Sequence, residues 1–174
     1  MIRIGLISDT HGHFPNSVFK YFEECDEIWH AGDIGNIEVL ESLRNFRKTR
    51  AVYGNIDGQE IRQETEEHLI FTVEGVKVLI THIGGYPGRY SPHARQFIDR
   101  EKPTLFICGH SHILKVMPDP ARPGLLHMNP GAAGVHGFHK VLTLLRFTID
   151  SGKISNLQAI ELGERGKMEI SKGK

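Results

Sequence analysis

In this chain of 174 residues, 21 Lys and Arg balance 21 Asp and Glu, so no net positive field advertises a nucleic-acid or anionic-membrane partner and any binding site must be local. With 39% hydrophobic and 24% charged residues it can build one compact core, which excludes a disordered chain. No apolar run approaches the ~20 residues of a membrane span, and the opening "MIRIGLISDTHGH" lacks the features of a secretory leader, so a cytoplasmic protein is expected.

The predicted elements follow in chain order. "IRIGLIS" is a short branched run closed by "DTHGH", a first strand that delivers Asp9 and His11. "PNSVFKYFEEC" spaces Val18, Phe19, Phe22 and Cys25 at helical intervals. "EIWHAGD" reads as a second strand ending at Gly32 and Asp33, and "NIEVLESLRNF" as a helix with Val39, Leu43 and Phe46 on one stripe and Leu40 beside it. "TRAVYGNIDG" makes a third strand ending at Gly54 and Asn55. After a polar stretch, "LIFTVEGVKVLITH" alternates about the turn "EG" as a hairpin and arrives at His82.

The glycine-rich loop "IGGYPGRY" leads to "SPHARQFIDREKP", with Ser91 as helix cap, Pro92 at the first helical position, and Ala94, Phe97 and Ile98 as a short core face. "TLFIC" is another strand, followed by Gly109, His110, Ser111 and His112. "GLLHMNPGAAG" is a strand-like run closed by an Asn-Pro-Gly turn. "KVLTLLRFTIDSGKISNLQAIEL" reads as two strands joined at "DSG", with Val141, Leu145, Phe147 and Ile149 on one face and Thr143 as the exception. Residues 1–162 make a single domain, and the polar remainder 163–174 is expected to be a loose tail or an edge addition.

Alternation of strand and helix in the first half implies parallel pairing through crossovers, and the later hairpins imply antiparallel additions. Ligands of such mixed sheets sit beyond the carboxyl ends of the strands. Five predicted strands end there in groups able to bind metal: Asp9 with His11, Asp33, Asn55, His82, and His110 with His112. The paired positions are two apart, so in extended chain both members can face one side. Seven oxygen and nitrogen donors are too many for one tetrahedral ion but suit two ions sharing a carboxylate, as in hydrolytic two-metal sites. The thiolate-free donor set favours Mn²⁺ first, with Fe, Zn²⁺ or Ni²⁺ as alternatives.

In their order, "DTHGH", "GD", "GNID", "TH" and "GHSH" resemble the calcineurin-like metallophosphoesterase superfamily, particularly its small uncapped bacterial and archaeal phosphodiesterase branch. The resemblance covers the chain to about Leu162 and implies an α/β fold of two facing mixed β-sheets flanked by helices, a four-layer sandwich. It implies one metal on Asp9, His11, Asp33 and His112, and a second on Asp33, Asn55, His82 and His110, with Asp33 as bridge. Phosphodiester hydrolysis by a hydroxide held between the metals is the implied reaction, with Asp33, Asn55 and His82 as catalytic residues. Asn55 is an expected contact of a small phosphoester substrate; read from the residues themselves, His136 lies in a loop able to reach phosphate, and the glycine loop with Arg89 is either a substrate lip or a flexible connection between a strand and a helix. The alternative is a non-catalytic protein-interaction scaffold of the same fold, resembling the retromer subunit. Self-association stays open.

The remaining histidines receive lesser roles. His13 and His30 flank the motifs as candidate hydrogen-bond donors behind the ligands, and His136 and His139 lie in a loop able to approach the site. His68, His93 and His127 read as structural, and Cys25 and Cys108, with no CxxC spacing, as small buried side chains.

One departure bears on mechanism. Many members of the resembled family carry a histidine directly after the metal-binding asparagine, where it assists the leaving group, whereas this chain has Ile56. The expected consequence is slow turnover of poor leaving groups. Ile56→His is expected to raise turnover of unactivated esters more than that of nitrophenyl esters, and equal rates on every ester, compared by steady-state kinetics, would refute this account.

Overall fold

The computed structural model of the chain describes residues 1–166. Ten strands form two five-stranded mixed sheets. In the first, β1 (Ile2–Ile7), β2 (Glu27–His30) and β3 (Lys48–Ala51) pair in parallel through crossovers carrying α1 (Ser17–Tyr21) and α2 (Ile37–Phe46). The hairpin of β9 (Val141–Asp150) and β10 (Lys153–Glu164) returns antiparallel on the other side of β1, giving the order β10-β9-β1-β2-β3.

The second sheet combines the hairpin of β4 (His68–Val73) and β5 (Val76–Thr81) with β6 (Leu105–Ile107), β7 (Leu114–Pro118) and β8 (Leu126–Pro130), in the order β4-β5-β6-β8-β7. α4 (Pro92–Glu101) is the crossover from β5 to β6, which are parallel, and β8 lies parallel to β6. A short α3 (Gln59–Glu64) precedes β4.

Strand alternation explains the layers. Ile4, Leu6, Trp29, Val78, Ile80 and Ile107 point into the space between the sheets, where they form one buried cluster with Leu145, Phe147 and Ile149. The opposite face of the first sheet offers Ile7 and Ile28 to Val18, Val39, Leu40 and Leu43 of α1 and α2. The outer face of the second sheet offers Leu79 and Phe106 to Ala94 and Ile98 of α4. Helix, sheet, sheet and helix are thus the four expected layers. Gly5 is dictated by this packing, because a Cβ there would lie 2.5 Å from the Phe22 ring.

Both long helices begin as their sequences require. Asn36 accepts a hydrogen bond from the Val39 amide at 3.1 Å, and Ser91 accepts one from the Ala94 amide at 3.2 Å. Other elements differ from expectation. α1 ends at Tyr21, and Phe22 and Cys25 are buried from the turn beyond it. The third strand stops at Ala51, and only Val52 continues it, as an isolated bridge to Glu66. α3 was hidden because Ile61 is its single buried residue, too little for a periodic signal. β7 was hidden because its residues are half-buried or exposed at a sheet edge. β10 runs through Glu164, so the first two residues of the expected tail, Gly163 and Glu164, join the sheet edge, while 167–174 lie outside the described residues. Among the described residues no helix is long and apolar enough to cross a membrane.

Two histidines are fully buried in this frame, His30 and His127. Neither ring nitrogen of His127 has a hydrogen-bond partner, and its ring packs against Phe106 and Tyr90. Burial, aided by the charge of Lys115, pushes its imidazole down to about 4, and burial pushes that of His30 to about 4. The unfolded chain binds these protons near pH 6.5, so the stability linked to them is complete above that value and is lost as pH falls toward 4. Each site should cost about 2 kcal/mol at pH 5 relative to pH 7. In urea unfolding of the metal-free protein at the two pH values, His127→Phe should lose measurably less stability on acidification than the wild type; an identical loss would refute the assignment.

Candidate metal centre

All seven predicted ligands meet at one end of the two sheets, just past β1, β2, β3, β5 and β6. Asp9, His11 and His112 form one set, and Asp33, His82 and His110 another, each with its ligand atoms within 4.8 Å of one another. Asp33 Oδ2 lies 3.6 Å from His11 Nε2 and 3.2 Å from His82 Nε2, which puts it between the sets. Asn55 Oδ1 is 3.0 Å from His110 Nδ1.

The polar bookkeeping of the site is incomplete in a way that suits a cation. Asp9 Oδ2 accepts from Ser8 Oγ at 2.7 Å and from the His110 amide at 3.1 Å. Its other oxygen, Oδ1, is buried with no hydrogen-bond partner, although Nε2 of His112, His11 and His82 surround it at 3.1, 3.8 and 3.9 Å. His82 Nε2 is a second buried atom without a hydrogen bond. His11 and His112 bring their Nε2 atoms to 3.4 Å, a spacing closed by one N–H···N hydrogen bond when the site is bare and open to a metal ion that both nitrogens can ligate. The residues present fit divalent ions.

Tautomers are set from behind. The Ala31 carbonyl, 2.8 Å from His82 Nδ1, can only accept, so His82 carries its proton there and turns an Nε2 lone pair inward. A longer chain does the same for His112. His139 Nε2 donates to the Gly134 carbonyl at 2.7 Å, leaving its Nδ1 to accept from His112 Nδ1 at 3.1 Å.

Electrostatics follow from this crowding. Burial works to raise the Asp9 carboxyl, but the imidazoles of His11, His112 and His82 outweigh it and hold the group well below the usual carboxylate range. Burial is likewise overcome at Asp33, where His82 and the Ile56 amide at 3.1 Å keep the carboxylate ionised. His82 is raised in turn, because Asp33 and Asp9 outweigh its burial, whereas burial and the neighbouring His82 lower His110.

The expectation that the paired ligands occupy extended chain is corrected. β1 ends at Ile7 and β6 at Ile107, and Asp9, His11, His110 and His112 all have φ between 46° and 70°. Asp33, at φ 54°, shares this left-handed conformation, so five of the seven ligands adopt a geometry costly for residues with a Cβ. The pairs converge because left-handed residues turn the chain sharply. Close approach also demands glycine: a Cβ on Gly54 would sit 2.0 Å from Asp33 Oδ1, and one on Gly109 2.2 Å from Ser8 Oγ.

Several supporting residues escaped the sequence reading. Asp57, buried, accepts from the amides of Ile34, Gly35 and Gly54 at 3.1, 2.8 and 2.8 Å, tying the Asp33 loop to the Asn55 loop. Asp57 belongs to the "GNID" string, in which only Asn55 was read as a ligand. His30 accepts from the Gly32 amide at 3.1 Å and donates to Thr10 Oγ1 at 3.0 Å, the flanking role expected of it. Asn129 Nδ2 donates to the Gly109 carbonyl and to Ser111 Oγ at 3.0 and 3.1 Å, holding the loop that bears His110 and His112.

Two expected substrate contacts are less enclosed. His136 is exposed, with its ring 4.9 Å from that of His11. Arg89 is exposed in the glycine loop. A cavity of about 460 Å³ opens beside Asn55 and His82, with Tyr53, Arg62, Ile83 and His93 on its walls and Arg89 not among them.

The sequence pattern of the calcineurin-like phosphoesterase superfamily domain matches residues 2–152. A probable metallophosphoesterase of Methanocaldococcus jannaschii is 31% identical over 138 residues, 76% of this chain and 68% of that protein. A phosphodiesterase of the same organism is 27% identical over 148 residues, 75% of this chain and 83% of its own. Among solved structures, zinc-bound Vps29 of Entamoeba histolytica has a TM-score of 0.71 at 15% identity, over 94% of this chain and 99% of that one. A Thermotoga maritima protein has a TM-score of 0.70 at 21% identity, over 93% and 100%.

Asp57→Asn replaces a carboxylate oxygen by a donor and leaves at least one buried amide unpaired, a loss of about 1–3 kcal/mol. Urea unfolding should register that loss, and titration with Mn²⁺ should show at least tenfold weaker binding as the Asp33 and Asn55 loops separate. Wild-type metal affinity in this variant would refute the coupling.

Proposed function

The chain belongs to the calcineurin-like phosphoesterase superfamily, and on that premise we propose that it hydrolyses small phosphodiesters at a two-metal centre formed by Asp9, His11, Asp33, Asn55, His82, His110 and His112. The observation that carries this reading is the pair of buried atoms without hydrogen bonds, Asp9 Oδ1 and His82 Nε2, turned into a space ringed by further donors. A protein using these residues only to fold would have no reason to leave both unpaired.

Divalent ions bound there, with Mn²⁺ as the first choice, supply positive charge against the phosphoryl oxygens and acidify a water for attack. The chain's own part is placement. Asp33, between the two sets, holds them at one separation, and His82 and Asn55 border both the ligand cluster and the cavity where the ester enters. His136, beside the His11 ring, and Arg89 in the glycine loop are the proposed outer contacts of the phosphate. Water attacks phosphorus in line with the departing oxygen, and no covalent enzyme intermediate is required. We place the protein in the cytoplasm, where the buried free thiols of Cys25 and Cys108 stay reduced.

A second reading, a protein-binding scaffold, draws on the exposed apolar side chains in the same loops: Ile56, Ile83, Tyr86, Ile113, Val135 and Phe138. The two readings part on metal dependence. Protein stripped of metal should be inactive on bis(p-nitrophenyl) phosphate and regain activity with Mn²⁺, while Asp33→Ala should lose at least a thousandfold in kcat/KM. Absence of metal-dependent turnover, with Asp33→Ala indistinguishable from wild type, would favour the scaffold.

A further inference from the structure

The hydrolase reading leaves open how the departing alcohol acquires its proton. Ile56 is fixed next to the site, its amide on Asp33 Oδ1 at 3.1 Å, but its side chain carries no exchangeable proton. The cavity of about 460 Å³ beside Asn55 and His82 is of a size that takes small ligands, and it is the space into which an ester group can extend from the ligand cluster. Its walls hold several groups with exchangeable protons, of which two are imidazoles, His82 and His93. His82 donates its Nδ1 proton to the Ala31 carbonyl at 2.8 Å and turns Nε2 into the ligand cluster, away from the role of proton donor. Ser91 Oγ is engaged in capping α4, donating to the Ile83 carbonyl at 3.1 Å and accepting from the Ala94 amide at 3.2 Å.

Arg62 is an anion-binding group and not a proton donor. Its guanidinium is anchored on the Asp57 and Gly54 carbonyls at 2.6 and 3.2 Å and stacks on Tyr53 at 4.3 Å, giving the cavity a flat cationic and aromatic wall. Tyr53, Glu67 and Thr81 also line the cavity, but His93, the second residue of α4, is the wall imidazole that stands outside the ligand set; it is exposed, with its ring set against Phe97 one turn on at 4.8 Å. Imidazole is the side chain that exchanges protons most readily near neutral pH.

We propose that this cavity receives the departing alcohol of the ester, favouring a flat aryl or heterocyclic one against Arg62 and Tyr53, and that His93 protonates it. The inference rests on the hydrolase reading. Water oxygen forms the new bond to phosphorus, and the bond from phosphorus to the alcohol oxygen breaks with its electron pair left on that oxygen. The alcohol oxygen takes the proton from His93 as it departs. The attacking water's proton passes to solvent, and solvent recharges His93, so the step consumes only water.

The test is a series of methyl aryl phosphodiesters running from nitrophenyl to phenyl, plus an alkyl ester, with Mn²⁺-loaded wild type, His93→Gln and His136→Gln. His93→Gln should lose no more than about tenfold on the nitrophenyl ester but at least about a hundredfold on the phenyl and alkyl esters, the range general acid catalysis supplies, with bound metal unchanged by elemental analysis. The basic limb of its kcat pH profile should disappear. A second readout needs no turnover: benzylphosphonate, whose aryl group is held by a P–C bond and which has no ester to cleave, should shift the His93 imidazole resonances in the NMR spectrum of wild-type protein loaded with diamagnetic Zn²⁺. An equal loss on every ester, a leaving-group-dependent loss in His136→Gln instead, or His93 resonances that ignore the phosphonate would overturn the proposal. A wild type inactive on all esters would defeat the hydrolase reading, and the phosphonate titration would still decide whether the cavity binds as described.

Discussion

Two buried carboxylates a few ångströms apart dominate this molecule. Asp9 and Asp33 sit where apolar layers meet and water is scarce, and like charges so placed repel strongly. The chain answers with imidazoles and not with lysine or arginine. His82 stands 3.2 Å from one carboxylate and 3.9 Å from the other, and His11 and His112 close the remaining sides. Imidazole suits this task because it can carry a proton when the site is bare and surrender it to a metal ion, so one set of side chains serves both conditions. A fixed cation such as arginine would neutralise the carboxylates permanently and exclude the ion.

The rest of the architecture keeps these groups from relaxing apart. Backbone hydrogen bonds run between the ligand loops themselves, from the amides of Asp9, His11 and Gly12 to the carbonyls of Gly32, Asp33 and Ile34, and from Gly134 to Asp9. Asp57, His30 and Asn129 then bind the loops from below through side-chain hydrogen bonds. The sheets provide the rigid base, since every ligand lies within five residues of a strand end. Precision comes from the loops' mutual contacts, which rest on the packed strands beneath.

Much of this was legible in the residues. The strand and helix order followed from branched runs and helical spacing, and the convergence of the seven candidate ligands from polar residues recurring where strands ended. What stayed hidden had physical causes. α3 and β7 bury too little to print a period, and the left-handed turns carrying Asp9, His11, His110 and His112 leave no pattern because isolated positive-φ residues have no periodicity to read. Asp57 and His139 act through contacts with residues 22 to 27 positions away, which linear spacing does not encode. His93, read as structural, borders the cavity, a placement that no local feature of a helix-start histidine reveals.

The left-handed ligands carry an implication for how this chain can change over generations. Glycine at any of those five positions would relax the backbone by a margin on the order of 1 kcal/mol while deleting a donor. Drift toward a hardier fold and drift toward inertness therefore share a direction, and a descendant freed from selection for chemistry would be expected to gain thermal robustness as it lost its ions. On the hydrolase reading, selection for turnover would hold those five residues against that slope.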